Sequence, residues 1–196
     1  MKVHPPNRPS PAPMQSTLAT QDSQDSQTLS RHLCKQLADH LSRELRATKQ
    51  ASKRTCFDAV AKNPFSLDEY LARFAAYTDL EPATFISSVL ILQKILTNAR
   101  LVLTEYNVFR LCAISILLAA KMLEDGLVRM SSFAKIAGVS KEELCRLEVR
   151  TLKLLKFDCN INRKAYAALE RYLSPPVSSA AETNSTSESA TTQSHA

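Results

Sequence analysis

An all-α fold is predicted by three features of this 196-residue chain. Only two glycines occur, Gly126 and Gly138, whereas phosphate-cradling loops and tight β-hairpins both need glycine at special backbone angles. Apolar residues recur at three- and four-residue intervals across the middle of the chain, the spacing of one helix face. Two S-x-x-E strings, Ser66-Leu67-Asp68-Glu69 and Ser140-Lys141-Glu142-Glu143, stand before such runs as capping-box starts. With 44% apolar residues the chain can build one ordinary core.

Composition divides the chain into four stretches. Residues 1–28 carry repeated prolines and then QDSQDSQ, and residues 174–196 are dominated by Ser, Thr, Ala and Glu after Pro175 and Pro176. Both read as disordered tails, because neither can bury enough apolar surface to offset the entropy of ordering. Residues 29–62 hold a basic amphipathic helix and a linker. Leu29, Leu33, Leu37, Leu41 and Leu45 recur every four residues, so their stripe drifts slowly around the helix axis and should dock on the main domain or on a partner. Arg31, Lys35, Arg43, Arg46, Lys49, Lys53 and Arg54 face only Asp39 and Glu44, so much of the formal net charge of +6 is local to this stretch.

Residues 63–173 form the compact region. Leu67, Tyr70, Leu71, Phe74 and Tyr77 carry a first helix to about Thr78, and Pro82 suits the first turn of a second, built on Phe85, Ile86, Val89, Leu90, Leu92, Ile95 and Leu96. Thr104 can cap a central helix ending near Asp125. A short helix fits Ser131 to Ala137, closed by Gly138; the second capping box opens a longer one to Leu155; Asn162 can cap a last one through Leu173. The pattern is five helices of one domain, with a helix before and a helix after.

The central helix is the most informative element. From Leu111 to Ala120 only Ser115 is polar, so the helix is apolar on every side and must be surrounded by protein. The run is about half the ~20 residues needed to span a bilayer, which disfavours membrane insertion. Lys121 follows at once, and a charge there needs an acid, exposed carbonyls or a partner. On the fifth helix of the domain Leu144, Leu152 and Leu155 form an apolar stripe, and Glu148 stands among them one turn from Leu144 and one from Leu152. Both residues fit a rim salt bridge or a contact with a partner.

Other chemistries find little support. Cys34, Cys56, Cys112, Cys145 and Cys159 are odd in number, widely spaced and mostly set among apolar residues, as small buried hydrophobes of a reduced compartment would be. His4, His32, His40 and His195 all lie outside the compact region, and no Ser-His-acid or Cys-His constellation can be assembled within it. No catalytic residue, metal ligand, cofactor or small-molecule substrate is expected. The N-terminus shows no apolar signal segment, which favours the cytoplasm or nucleus.

The strings NVFRLCAISILLAAKMLED and SSFAKIAGVSKEELCRLEVRTLKLLKFD resemble the cyclin box, most closely that of the P-type (U-type) cyclins related to the yeast phosphate-system cyclin. Tyr70-Leu71-x-Arg73 followed by Tyr77-Thr78, and Phe133-Ala134-Lys135-x-x-Gly138, are habits of that subgroup. The resemblance runs from about Ser66 to Leu173. It implies a non-catalytic regulatory subunit that binds and activates a cyclin-dependent protein kinase, with a role in cell-cycle or nutrient and phosphate control. By the same resemblance Lys121 and Glu148 match the lysine and glutamate that hold the kinase backbone. Leu118, Met122, Leu152, Leu155 and Phe157 match apolar positions that take up the kinase helix, although core is an equally good reading of Leu155. Asp125 resembles an acid that can meet kinase arginines.

Some positions depart from the family pattern. Arg73 matches an arginine that pairs with an acid on the next helix, but Gln93 occupies that place, so Arg73 must find an acid elsewhere or stay near water. Ala72, Ala75, Ala76 and Asp79 replace the apolar patch by which cell-cycle cyclins dock substrates; Cys159 stands where a larger aliphatic is common, and Arg129 and Met130 replace a more polar loop. The rival from another class is a DNA-binding helix-turn-helix, for which SFAKIAGVSKEELCRL has the right outline. Its second helix would present Glu142 and Glu143 to the duplex, which disfavours nucleic acid. A cyclin-fold transcription adaptor is the related alternative; it would need a second box, for which the Ser/Thr-rich stretch after Leu173 leaves no room.

Overall fold

The computed structural model describes residues 16–47, 54–126 and 128–173, and the side chains from residue 28 onward. These residues form seven helices: α1 (Ser16–Ala47), α2 (Leu67–Tyr77), α3 (Pro82–Ala99), α4 (Val108–Leu123), α5 (Met130–Ala137), α6 (Lys141–Leu154) and α7 (Arg163–Leu173). No strand occurs among the described residues. The fold is all-α, as the glycine count and apolar spacing predict.

α4 is the axis of the core. Every residue from Leu111 to Ala120 is buried, with α3, α5 and α6 packed around it. Its one internal polar group, the Ser115 hydroxyl, donates to the Leu111 carbonyl at 2.7 Å, so nothing polar is left unpaired in the apolar surroundings. α2 closes one side through an aromatic group in which Tyr70 meets Phe74 and Phe109 edge-on at 5.5 and 4.9 Å, and Phe74 meets Phe133 at 5.2 Å. The Tyr70 hydroxyl donates to the Ala137 carbonyl at 3.1 Å, tying α2 to the end of α5. Burial pushes the Tyr70 phenol well above its usual range, and the Cys34 and Cys112 thiols up to about 12. Cys34 and Cys112 are the buried small hydrophobes their apolar setting predicts, whereas Cys56 is exposed and Cys145 and Cys159 are half-buried.

α1 lies across α2 and α3. Leu33, Leu37 and Leu41 are buried, Leu45 is half-buried and Leu29 is 48% exposed. A four-residue repeat advances about 40° per step on a helix, so the ends of the stripe drift off the contact while its middle stays in. α7 closes a second small cluster, in which Leu173 meets Leu33 and Ile86, and the Arg43 guanidinium donates to the Tyr172 hydroxyl at 2.9 Å.

Three boundaries differ from expectation. α1 starts at Ser16, inside the stretch 1–28 read as a disordered tail; once the leucine stripe is docked, upstream residues without Gly or Pro need only propagate a helix already nucleated. Residues 1–15, part of the expected linker (48–53) and the second expected tail (174–196) lie outside the described residues. Thr104 does not cap α4: Asn107 does the local work, accepting from the Thr104 N–H at 2.8 Å and donating to the Val102 carbonyl at 2.9 Å. Its longer amide spans two main-chain groups that a hydroxyl cannot. The box at Ser66 closes in both directions, but at Ser140 only the hydroxyl half forms, accepting from the Glu143 N–H at 3.0 Å. The Glu143 carboxylate turns instead to Arg110 on α4, at 2.7 Å. Asn162 caps α7 as expected, accepting from the N–H of Lys164 at 2.8 Å.

Candidate functional site

α4 leaves the core abruptly. Ala120 is fully buried, while Lys121, Met122 and Leu123 are exposed, the last two at 44% and 47%. α6 runs beside this end and buries Leu144, Leu147, Thr151 and Leu155. Thr151 is tolerated there because its hydroxyl donates to the Leu147 carbonyl at 2.8 Å. Glu148 lies just off that buried stripe, and the Lys121 ammonium donates to its carboxylate at 2.5 Å. Across the pair the lysine side chain is 36% exposed and the glutamate 14%. The charge stranded at the end of the apolar helix has thus found an acid at the edge of an apolar stripe.

The collar of this pair is apolar and open. Met122 and Leu123 stand on the α4 side; Val149, 51% exposed, and the half-buried Leu152 stand on α6; Phe157, 71% exposed, lies just beyond it. Two expected members are not part of the surface. Leu118 is 3% exposed and Leu155 2%; Leu118 lies in the fully buried run of α4 and Leu155 ends the buried stripe of α6. Both belong to the main core cluster that underlies the face. Leu123 and Val149 were not picked out by spacing, since exposure decides their role and periodicity does not report it.

Phe157 has an unusual backbone. Lys156 (φ 52) and Phe157 (φ 60) are consecutive left-handed residues and neither is glycine, which costs about 1–2 kcal/mol per residue. The turn is closed by the Phe157 N–H, which donates to the Leu152 carbonyl at 2.8 Å, and by the Asp158 N–H, which donates to the Leu155 carbonyl at 3.0 Å. From α3, the Lys94 ammonium reaches the Asn160 carbonyl at 2.6 Å and the Asp158 carboxylate at 3.1 Å. Nothing in the sequence singled out Lys94, a lone charge within an apolar helix.

Asp125 is exposed beyond the end of α4. Its neighbour Glu124 is committed elsewhere: its carboxylate accepts from the Glu81 N–H at 3.0 Å and the Thr84 hydroxyl at 2.5 Å. The C-terminal turn of α4 thereby caps the start of α3, whose own N-cap residue makes no side-chain capping bond. Among the described residues Arg73 finds neither an acid nor Gln93. Its guanidinium donates to the Lys135 carbonyl at 3.5 Å, in the last turn of α5, and sits 5.7 Å from the centre of the Phe65 ring. Of the positions that replace a substrate-docking patch, Ala75 is buried.

The model of the cyclin family matches residues 10–159, a span that takes in α1 and ends just past Phe157. The chain belongs to the cyclin family. Among curated relatives, cyclin-P2-1 of Oryza sativa is 28% identical over 151 residues, covering 76% of this chain and 68% of that one. Cyclin-U4-1 of Arabidopsis thaliana is 27% identical over 129 residues, covering 65% and 64%, and cyclin-U4-2 of the same plant 30% over 129 residues, covering 65% and 58%. The matched part of this cyclin therefore spans under two thirds of the length of both Arabidopsis relatives. These similarities assign it to the P/U type. Cyclins as a family are regulatory subunits without catalytic activity that work with a protein kinase.

Proposed function

We propose that this cyclin binds a cyclin-dependent protein kinase through the face at the ends of α4 and α6 and activates it there. The observation that carries the reading is the Lys121–Glu148 pair, 2.5 Å apart and set inside a collar of exposed apolar side chains. An ion pair in such a collar gives a partner both affinity and register: Met122, Leu152 and Phe157 supply apolar area, and the unused donors of Lys121 and lone pairs of Glu148 meet main-chain groups. Asp125, exposed at the same end, supplies a carboxylate for a kinase arginine.

The mechanism is a population shift in the partner. A free kinase of this class samples an arrangement with its regulatory-helix glutamate away from the ATP-positioning lysine, and a rigid face that binds only the swung-in helix stabilises the active arrangement. Moving such an equilibrium from 1:99 to 99:1 takes about 5.5 kcal/mol of differential binding. Action in the cytoplasm or nucleus, in cell-cycle or in nutrient and phosphate control, belongs to the same reading. Affinity purification of the tagged chain, with mass spectrometry of co-purifying kinases and a kinase assay on the complex, tests it. Recovery of an active cyclin-dependent kinase with the parent chain and its loss with Lys121→Ala are expected; recovery that is equal for both removes this face from the mechanism.

A further inference from the structure

The turn between α6 and α7 is held from two sides. From α6, main-chain bonds close it at Lys156, Phe157 and Asp158. From α3, the Lys94 ammonium meets three acceptors, the Asn160 carbonyl at 2.6 Å, the Asp158 carboxylate at 3.1 Å and the Asp158 carbonyl at 3.4 Å. An ammonium has three donors, and all three acceptors lie on the short segment directly after Phe157. The bond from Lys94 is also the first cause that holds the Asp158 carboxyl below the usual carboxylate range.

That grip matters because Phe157 is badly placed to hold itself. Its backbone is left-handed, as is that of Lys156, and its ring is 71% exposed, so little burial of the ring offsets the strain. Strained residues persist where the surroundings over-determine them, and here the surroundings on the far side are Lys94. We propose that Lys94 is a positioning residue: by clamping the segment 158–160 to α3 it holds Phe157 outward in the one orientation that a docked kinase helix meets. This rests on the docking reading above and adds the residue that organises its most exposed member. Since α3 also packs on α4, one helix references both the Lys121 end and the Phe157 end of the face.

The test uses the full chain, with the catalytic subunit that co-purifies with it as the probe. Lys94→Met keeps the aliphatic stem and removes the charge; Lys94→Arg restores donors that reach the same carbonyls. Exchange of the Phe157 and Asp158 amides should quicken about tenfold or more in Lys94→Met while α4 amides keep the parent rate, and Lys94→Arg should return toward the parent. Kinase affinity should fall about fivefold in Lys94→Met, and the double variant Lys94→Met/Phe157→Ala should bind no more weakly than Phe157→Ala alone, because the clamp acts through that ring. Unchanged amide exchange, or losses that simply add in the double variant, overturns the clamp. The docking reading is separated by Lys121→Ala: if that variant loses binding while Lys94→Met does not, only the clamp falls. If neither Lys121→Ala nor Phe157→Ala weakens binding, the docking face falls and the proposed purpose of Lys94 falls with it.

Discussion

Two ion pairs of the same chemistry tie α4 to α6, and they differ in what surrounds them. Near the helix starts, the Arg110 guanidinium donates to Glu143 at 2.7 Å, with side chains 22% and 31% exposed. At the other end of α4, Lys121 donates to Glu148 at 2.5 Å, with side chains 36% and 14% exposed. The first pair is bordered by the exposed polar residues Lys141, Glu142 and Arg146; the second is collared by Met122, Leu123, Val149 and Leu152. A part-exposed pair among polar neighbours braces two helices and contributes little beyond that. The same pair among open apolar side chains marks a surface that can be buried by a partner, where its worth rises as water leaves.

The largest effect is expected at Leu152. Leu152→Asp places an unpaired charge in the apolar collar, and kinase stimulation should be abolished, a loss of about 3 kcal/mol or more in binding. Circular dichroism of the purified variant shows whether the helices persist, and Phe157→Ala, at a residue that is mostly exposed, provides a second variant with little risk of unfolding. If a folded Leu152→Asp stimulates its kinase as the parent does, the collar is not the activating surface.

Next in size are the pairs themselves. Lys121→Ala and Glu148→Ala should each cost about 2 kcal/mol of kinase binding, roughly thirtyfold, with melting temperature nearly unchanged. Arg110→Ala and Glu143→Ala should do the reverse: kinase affinity within about twofold of the parent and a loss of about 0.5–1 kcal/mol in stability, a few degrees in melting temperature. Titration calorimetry beside thermal melts decides it, and equal binding losses at both ends would erase the distinction.

Smaller still is the response to acid. Main-chain and Ser140 hydrogen bonds hold the Glu142 carboxyl below its usual range, and Ser66 does the same for Glu69, first through its N–H and then through its hydroxyl. Each folded pKa is depressed, so its stabilising contribution is present above the unfolded value of about 4 and is lost as pH falls through the folded value. Carboxyl titration by NMR should show both groups below the model-peptide range, and Ser66→Ala should bring Glu69 part of the way back. The smallest effect is expected from removing residues 1–27: this polar, proline-bearing stretch has too little apolar periodicity to offset the entropy of ordering it, so the melt should shift by about a degree or less.

Much of the fold is legible in the sequence because it depends on neighbours along the chain. Apolar spacing places all of the helices, Ser66 and Asn162 start α2 and α7, Gly138 ends α5 in the left-handed conformation that glycine adopts freely, and the all-apolar run with its terminal lysine locates the candidate face. The resemblance names Lys121 and Glu148 together; chain order alone does not show that they touch. Tertiary structure decided what local spacing cannot report. It sent Glu143 to Arg110 instead of back to its own cap, used Glu124 to cap α3, gave Arg73 a carbonyl and a ring in place of an acid, and put Leu118 and Leu155 under the surface instead of on it. Helix periodicity says which residues share a face, but which faces are covered, and which polar group satisfies which, follows only from the packing of segments far apart in the chain.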